Sequence, residues 1–234
     1  MKKTAIYFFM FFWLTAARGH GMEAMEYFNL GLGEGMTHQK VAYFTKALDL
    51  NPKFAAAYAN RGMLYYFLEK YDKMIQDFEN YIELEPAKAE AYRMLGLGYL
   101  KAGLFKAAIS SLTRAIEMDA NLACAYANRA EAYRLSGKFE EAVRDSTRAI
   151  KYRPDLQIIS EALRTRAKVY WKIGRNTEAY ADNRKALSLD PSIPKLWGSY
   201  PPLESMKAMS LVYLIGIVFV LIFGQKFRPP KKDE

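Results

Sequence analysis

Residues Asn51 to Pro86 read NPKFAAAYANRGMLYYFLEKYDKMIQDFENYIELEP, and the pattern of this stretch decides the fold. Its prolines, Pro52 and Pro86, are 34 residues apart, and the same interval leads on to Ala120 and then to Pro154. The same residue types return at the same places of each interval, as in Tyr58, Tyr92 and Tyr126, then Gly62, Gly96 and Ala130, then Tyr65, Tyr99 and Tyr133. A fixed period of this length indicates an array of repeated supersecondary units.

Each period has room for two antiparallel helices of about a dozen residues, followed by a proline that cannot continue a helix. The small residues are expected where the two helices cross, so that their backbones approach closely. Gly96 is placed at such a crossing, whereas Gly98 is predicted to point elsewhere and to tolerate alanine. One helix pair cannot bury its apolar faces alone, so the sequence predicts an all-α solenoid of stacked pairs.

The recurring Tyr, Gly or Ala and Pro positions resemble the tetratricopeptide repeat (TPR) over roughly Gly35 to Pro191. The resemblance implies a right-handed superhelix of about four to five helix-turn-helix units. It also implies a concave groove, lined by the first helix of each unit, that binds protein or peptide partners. It is compatible with self-association of the repeats.

Regular units are predicted at residues 53–86, 87–120 and 121–154, with a degenerate first unit at 22–52 and a fifth unit at 155–191. In the first unit, Gly31, Gly33 and Gly35 weaken the first helix, and a sound second helix is expected from Thr37, as N-cap, to Leu50. The fifth unit exceeds the period by three residues. The extra residues are placed near 157–159, in the turn before its first helix, where insertions disturb stacking least.

The formal charge of +9 at first suggests a nucleic-acid ligand. Between Met22 and Met206, however, 26 Lys and Arg stand against 23 Asp and Glu, so most of the excess lies at the two ends of the chain. No nucleic-acid binding is therefore expected. The single cysteine, Cys124, cannot form an intrachain disulfide, and it is interpreted as a buried or half-buried structural thiol.

The first 21 residues have the three-part layout of a secretory signal. Lys2 and Lys3 precede an apolar run from Ala5 to Leu14, and small residues follow up to Gly21. The run is short for a full membrane span, which favours a cleaved signal over an uncleaved anchor.

A second apolar segment is predicted to cross a membrane near the end of the chain. Residues 192–207 read as a proline-rich linker that carries Trp197 and Tyr200, and no charge interrupts residues 208–224. A helix of these 17 residues is about 26 Å long, and its flanks extend the predicted span to 208–227. A short cytoplasmic tail, 228–234, is expected to follow.

Basic residues after this span predict its orientation. Lys226, Arg228, Lys231 and Lys232 follow the apolar segment, whereas Lys207 is the one basic residue close before it. The repeats are therefore expected outside the cytoplasm, held by the terminal span. A bacterial inner membrane with a periplasmic domain is favoured. The final Lys-Lys-Asp-Glu resembles a dilysine retrieval signal, which keeps the endoplasmic reticulum as the alternative.

The sequence contains few candidates for catalytic or metal-binding residues. Its two histidines, His20 and His38, are far apart, and no group of residues has metal-ligand spacing or pairs a nucleophile with a base. No enzyme activity, cofactor or metal is expected.

The candidate functional surface is the groove that the resemblance implies. Its positions on the first helices are Asn60, Met63, Tyr66, Phe67, Arg93, Leu97, Lys101, Asn128, Glu131, Arg134, Arg164, Lys168 and Lys172. Asn60 and Asn128 are expected to bond an extended peptide backbone, and Met63, Tyr66 and Phe67 are expected to hold apolar side chains. Related modules that clamp acidic chaperone tails use a basic and amide set whose places here begin with Ala59 and Met63, so that activity is not expected.

The leading hypothesis is a non-catalytic, membrane-anchored TPR scaffold that binds protein or peptide partners. The alternative is an accessory subunit of a cell-envelope enzyme or transport complex.

Overall fold

The computed structural model describes residues 23–33, 35–152, 155–192 and 196. The predicted signal, the linker rings Trp197 and Tyr200 and the predicted span at 208–227 lie outside these residues. The described residues form ten α-helices: α1 Ala24–Leu32, α2 Thr37–Leu50, α3 Ala55–Phe67, α4 Tyr71–Leu84, α5 Ala89–Lys101, α6 Phe105–Met118, α7 Ala123–Leu135, α8 Phe139–Lys151, α9 Leu156–Lys172 and α10 Asn176–Leu189.

The ten helices form five consecutive pairs, which confirms the predicted all-α repeat array. Each odd-numbered helix packs most extensively on the even-numbered helix that follows it. Helix α5 also packs directly on α7, and α7 on α9, whereas no comparable packing joins successive even-numbered helices in the described chain. The array therefore curves toward its odd-numbered helices, which line the inner face.

The turn inside each of the last four pairs contains a residue with positive φ. Gly103, Gly137 and Gly174 have φ of 78°, 78° and 80°, and Glu69 takes the equivalent place in the α3–α4 turn with φ of 55°. Glycine adopts this conformation without the steric cost that a Cβ brings. Gly103, Gly137 and Gly174 therefore mark the turns of the last three pairs.

Small residues do lie where the paired helices cross. A Cβ added to Gly62 would come within 2.9 Å of the Phe78 ring, and one added to Gly96 within 2.5 Å of Leu112 Cγ. Gly31 stands in the same relation to Phe44, at 2.6 Å. At the next crossing the small residue is Ala130, and the position equivalent to Leu112 holds the smaller Ser146. At these crossings, where the first helix carries glycine, the second helix carries a large side chain, and where the first helix carries alanine, the second carries the smaller serine.

One local expectation, the N-cap of α2, was wrong, and the surroundings of Gly98 are tighter than predicted. Met36, rather than Thr37, occupies the N-cap of α2, and its backbone N–H donates to Gln39 Oε1 at 3.4 Å. Gly98 points away from the α5–α6 crossing but into the packed interface with α4, where an added Cβ would lie 3.0 Å from Ile75 Cγ1. Alanine at Gly98 therefore needs a small shift of Ile75.

A recurring buried ion pair joins the helices inside three of the units. The guanidinium of Arg129 on α7 donates to Asp145 on α8, with Nε–Oδ2 of 2.7 Å and Nη2–Oδ1 of 3.1 Å, and to Thr113 on α6 at 2.8 Å. The same arrangement recurs as Arg61 with Asp77 and Thr45, and as Arg166 with Asp182 and Thr147. In the α5–α6 unit the equivalent positions hold Leu95 and Ser111.

Burial alone would lower the pKa of the Arg129 guanidinium, but the Asp145 carboxylate outweighs it and holds that pKa above its ordinary value. The Thr hydroxyl comes from the preceding unit, so each triad joins three helices and fixes the stacking of neighbouring pairs.

Candidate functional site

A cleft of about 420 Å³ opens on the inner face of the array, between α5, α7 and α9, with Tyr66 of α3 at one end. Its floor is α7, where Ala127 is small and Cys124 and Asn128 are half-buried. The walls are α5 on one side and the first part of α9 on the other. Consecutive first helices therefore bring together residues that are more than 30 positions apart in the sequence.

Most of the predicted groove residues lie in this cleft. The candidates that line it are Tyr66, Arg93, Leu97, Lys101, Asn128, Glu131, Arg164 and Lys168. The other five, Asn60, Met63, Phe67, Arg134 and Lys172, do not line it. The cleft thus lies on the α5, α7 and α9 part of the predicted groove, with Tyr66 as its contribution from α3.

The asparagines differ in their availability. Asn60 donates from its side-chain amide to the Ala56 carbonyl at 2.8 Å, so this group is engaged within its own helix. Asn128 has no side-chain hydrogen bond to any described residue, and it faces the cleft. Of the two, Asn128 is the one placed to bond a ligand.

The inner face changes from apolar to charged along the array. One register position holds Met63, Leu97, Glu131 and Lys168 in successive units. Phe67, at the start of this face, is 69% exposed, and its ring centroid lies 5.5 Å from that of Tyr66 in an edge-on arrangement. A ligand that follows the face would meet side chains of both kinds.

The longer α9 supplies cleft residues that sequence reasoning missed. Residues 157–159 lie in the first turn of α9 and not in the preceding turn as predicted. The insertion makes α9 17 residues long, against 13 for α7, and Asp155 caps it by accepting the Ile158 N–H at 2.9 Å. The added turn brings Asp155, Gln157 and Ile158 to the cleft, beside Glu161 and Thr165.

Charged groups in and around the cleft are partly paired. Arg93 donates to Glu90, with Nε–Oε2 of 2.7 Å. Arg134 forms a two-pronged pair with Glu131, at 2.7 Å for both bonds, and Thr165 Oγ1 donates to the same carboxylate at 3.1 Å. Burial raises the pKa of Glu131, but its bonds to Arg134 and the nearby Lys168 outweigh this effect and hold that pKa below its ordinary value. Glu131 is therefore ionised and ties α7 to α9.

Cys124 is half-buried on the floor of the cleft. Burial raises the pKa of its thiol, although nearby Arg93 opposes this effect. A thiol with a raised pKa is mostly protonated at neutral pH, so it does not behave as an activated nucleophile. Among the described residues, no group of three or more His, Cys, Asp or Glu side chains is placed to hold a metal ion.

Family models described as tetratricopeptide repeat match residues 43–76, 60–123, 124–156 and 161–193. These matches together cover more than half of the chain. No curated protein matches the sequence significantly.

Similar solved structures share the fold of the array. A crystal structure of MamA is 22% identical over 76% of this chain and 98% of that protein, with a TM-score of 0.63. MamA from Desulfovibrio magneticus is 18% identical over 74% of this chain and 97% of that one, with a TM-score of 0.65. YrrB, described as a TPR protein with an unusual peptide-binding site, is 22% identical over 76% of this chain and 92% of that one, with a TM-score of 0.59. At this level of identity the likenesses show the fold alone.

Within the part of the chain that the structure describes, no helix has the length and apolar character needed to cross a bilayer.

Proposed function

The chain belongs to the tetratricopeptide repeat family, and from this premise we propose that it is a non-catalytic scaffold that binds a linear peptide segment of a partner protein in the cleft between α5, α7 and α9. The family consists of protein-binding repeat scaffolds that are typically non-catalytic.

The observation that carries this proposal is the cleft itself. It lies on the inner face, its floor contains the small Ala127 and the available amide of Asn128, and its walls are both apolar and charged. An extended peptide needs such a combination, because its backbone requires hydrogen-bond partners and its side chains require separate apolar and polar pockets. The peptide-binding site named in the YrrB structure supports the same use of the fold.

Filling the floor of the cleft should abolish peptide binding. The full chain, purified in mild detergent, is used to select binders from a phage library of random nonapeptides. The selected peptides should bind the Asn128→Trp variant at least tenfold more weakly than the wild type, measured by fluorescence anisotropy, because the indole occupies the space of the ligand.

Ser110→Trp is the matched control, since Ser110 is exposed on α6, the second helix of its pair, and does not line the cleft. This variant should bind the peptides as the wild type does. Failure to select any peptide, or equal weakening by both substitutions, would contradict binding in the cleft.

We also propose that the repeats lie outside the cytoplasm and are anchored by the span at 208–227, with a bacterial inner membrane favoured. Support comes from the signal-like residues 1–21, from the 17 uncharged residues of 208–224 and from the four basic residues that follow them. The balance of 26 Lys and Arg against 23 Asp and Glu between Met22 and Met206 gives the repeats little general attraction to lipid.

Val218→Arg should weaken this anchoring, because a charge at the bilayer centre costs about 2.5–3.5 kcal/mol on insertion scales. Part of the repeat array should then appear in the soluble fraction after cell fractionation, whereas Val218→Leu should leave it with the membrane.

The orientation of the repeats is tested with protease. In intact spheroplasts, added protease should digest the repeats and spare a tag placed after Glu234. In sealed microsomes from a eukaryotic source the pattern should invert. Digestion of the tag alone in spheroplasts would place the repeats in the cytoplasm.

A further inference from the structure

The charged end of the cleft contains an ammonium group that the described protein does not pair. Lys168 of α9 lines the cleft and is half-buried, and it forms no hydrogen bond or ion pair with any described residue. Burial holds the pKa of Lys168 below its ordinary value. A half-buried cation without a partner is unfavourable, and an anion placed beside it removes that penalty.

The surroundings of Lys168 are predominantly cationic. Among the described residues, one carboxylate, Glu131, and two guanidinium groups, Arg134 and Arg164, lie close enough to shift the pKa of Lys168. The single carboxylate already accepts two bonds from Arg134 and one from Thr165. Among the described residues, Arg134 and Lys168 thus both face the Glu131 carboxylate, whose oxygens are already bonded to Arg134 and Thr165.

The other carboxylates of the α9 wall do not compensate Lys168. Glu161 accepts from Gln157 at 3.2 Å, and Asp155 caps the helix. Glu161 precedes Lys168 by seven residues, or roughly 10 Å along the helix. The acidic side chains of the α9 wall and Lys168 therefore occupy separate parts of the cleft.

The opposite wall of the cleft contains apolar side chains, with Arg93 and Lys101 of α5 beside them. Tyr66 of α3 and Leu97 and Leu100 of α5 line it, and Leu97 also packs against the buried cores on both sides of α5. Helix axes in contact are 8–10 Å apart, so two steps from α5 to α9 separate the α5 wall from Lys168 by roughly 16–20 Å. An extended chain covers this distance in about six residues.

We propose, on the basis of the proposed peptide-binding function, that the cleft selects linear peptides that place an apolar side chain against Tyr66 and Leu97 and an Asp or Glu carboxylate against Lys168, with about six residues between them. The carboxylate completes the charge balance around Lys168, and the apolar residue gives the peptide its direction along the inner face. Asn128 lies between the two contacts and bonds the peptide backbone.

The test compares the peptides that the full chain and its variants select from the same nonapeptide library. Each displayed peptide is fused at its C-terminus, so that acidic side chains are its only carboxylates. The wild type should enrich Asp and Glu, with Leu, Phe or another apolar residue about six positions away. The Lys168→Glu variant should lose this acidic enrichment and enrich Lys and Arg at the same position. Lys172→Glu, which alters an exposed lysine one turn further along α9 outside the cleft, should keep the wild-type profile.

Measured affinities of single peptides then test the contact between Lys168 and the acidic residue of the peptide. Replacing the acidic residue of the best peptide by its amide should weaken binding to the wild type about tenfold, or about 1.4 kcal/mol. The acid and amide peptides should bind the Lys168→Gln variant within twofold of each other, while its thermal unfolding matches that of the wild type. Peptides selected without acidic enrichment, or an acid preference that Lys168→Gln retains, would overturn this inference and leave peptide binding intact. Absence of any selected peptide would reject both proposals.

Discussion

Replacing Asp145 by serine should lower the free energy of unfolding of the repeat array by about 3–5 kcal/mol, because it leaves a buried guanidinium without its carboxylate. Arg129 is 8% exposed and Asp145 is 3% exposed, and two hydrogen bonds join them. The remaining bond from Arg129 to the Thr113 hydroxyl cannot neutralise the charge. Urea unfolding followed by circular dichroism at the helical minimum measures the loss.

The chain itself provides the control for this prediction. In the α5–α6 unit the positions of the arginine and aspartate hold Leu95 and Ser111, and that unit packs between its neighbours as the others do. The double variant Arg129→Leu with Asp145→Ser copies this pair, so it removes the charge together with its partner. Its loss of stability should be clearly smaller than that of Asp145→Ser alone. A double variant as unstable as the single one would show that the pair contributes through its bonds and not by neutralising a buried charge.

The repeat architecture could be predicted because its signal is periodic in the sequence. The tyrosines, the small residues at the crossings and the prolines recur in register, and the helix from Thr37 to Leu50 has the predicted bounds. The handedness of the superhelix stays a prediction. These features depend on packing inside one helix pair, and the same local packing is repeated along the chain.

The ion pairs and the cleft were harder to predict, because they depend on contacts between units. Arg61 and Asp77, Arg129 and Asp145, and Arg166 and Asp182 are each separated by 16 residues, so a search for repeated charge spacing would have found them. Residues 16 positions apart face each other across a helix pair, as Gly96 and Leu112 do at their crossing.

The extra turn of α9 had a weaker signal. The 37-residue interval from Pro154 to Pro191 revealed three additional residues, but the interval alone does not tell whether a turn or a longer helix accommodates them. Asp155 followed by Leu156, Ile158 and Ile159 is a sound N-cap signal, and it favours the longer helix that the structure shows. The consequence for the site is direct, because this turn forms one wall of the cleft.

Gly96→Leu should destabilise the array by about 1–3 kcal/mol, because the new side chain has no space at the α5–α6 crossing. Even a single Cβ would lie 2.5 Å from Leu112 Cγ and 3.3 Å from the Ala108 carbonyl oxygen. Leu112 is fully buried, so it has no free direction in which to move. Leucine has a higher intrinsic helix propensity than glycine by roughly 1 kcal/mol. A net loss of stability is therefore caused by crowding at the crossing and not by a weaker helix.

Gly98→Ala is the matched control on the same helix. Its Cβ would meet Ile75 Cγ1 at 3.0 Å and Met74 Sδ at 3.5 Å, across the interface with α4. The shift that Ile75 must make is partly offset by the helix propensity of alanine, so the net change should be about 1 kcal/mol or less. Thermal and urea unfolding of both variants measure the difference. Equal and small losses would mean that Gly96 does not lie at a close crossing, and that the alternation of Gly96 and Leu112 with Ala130 and Ser146 has no packing basis.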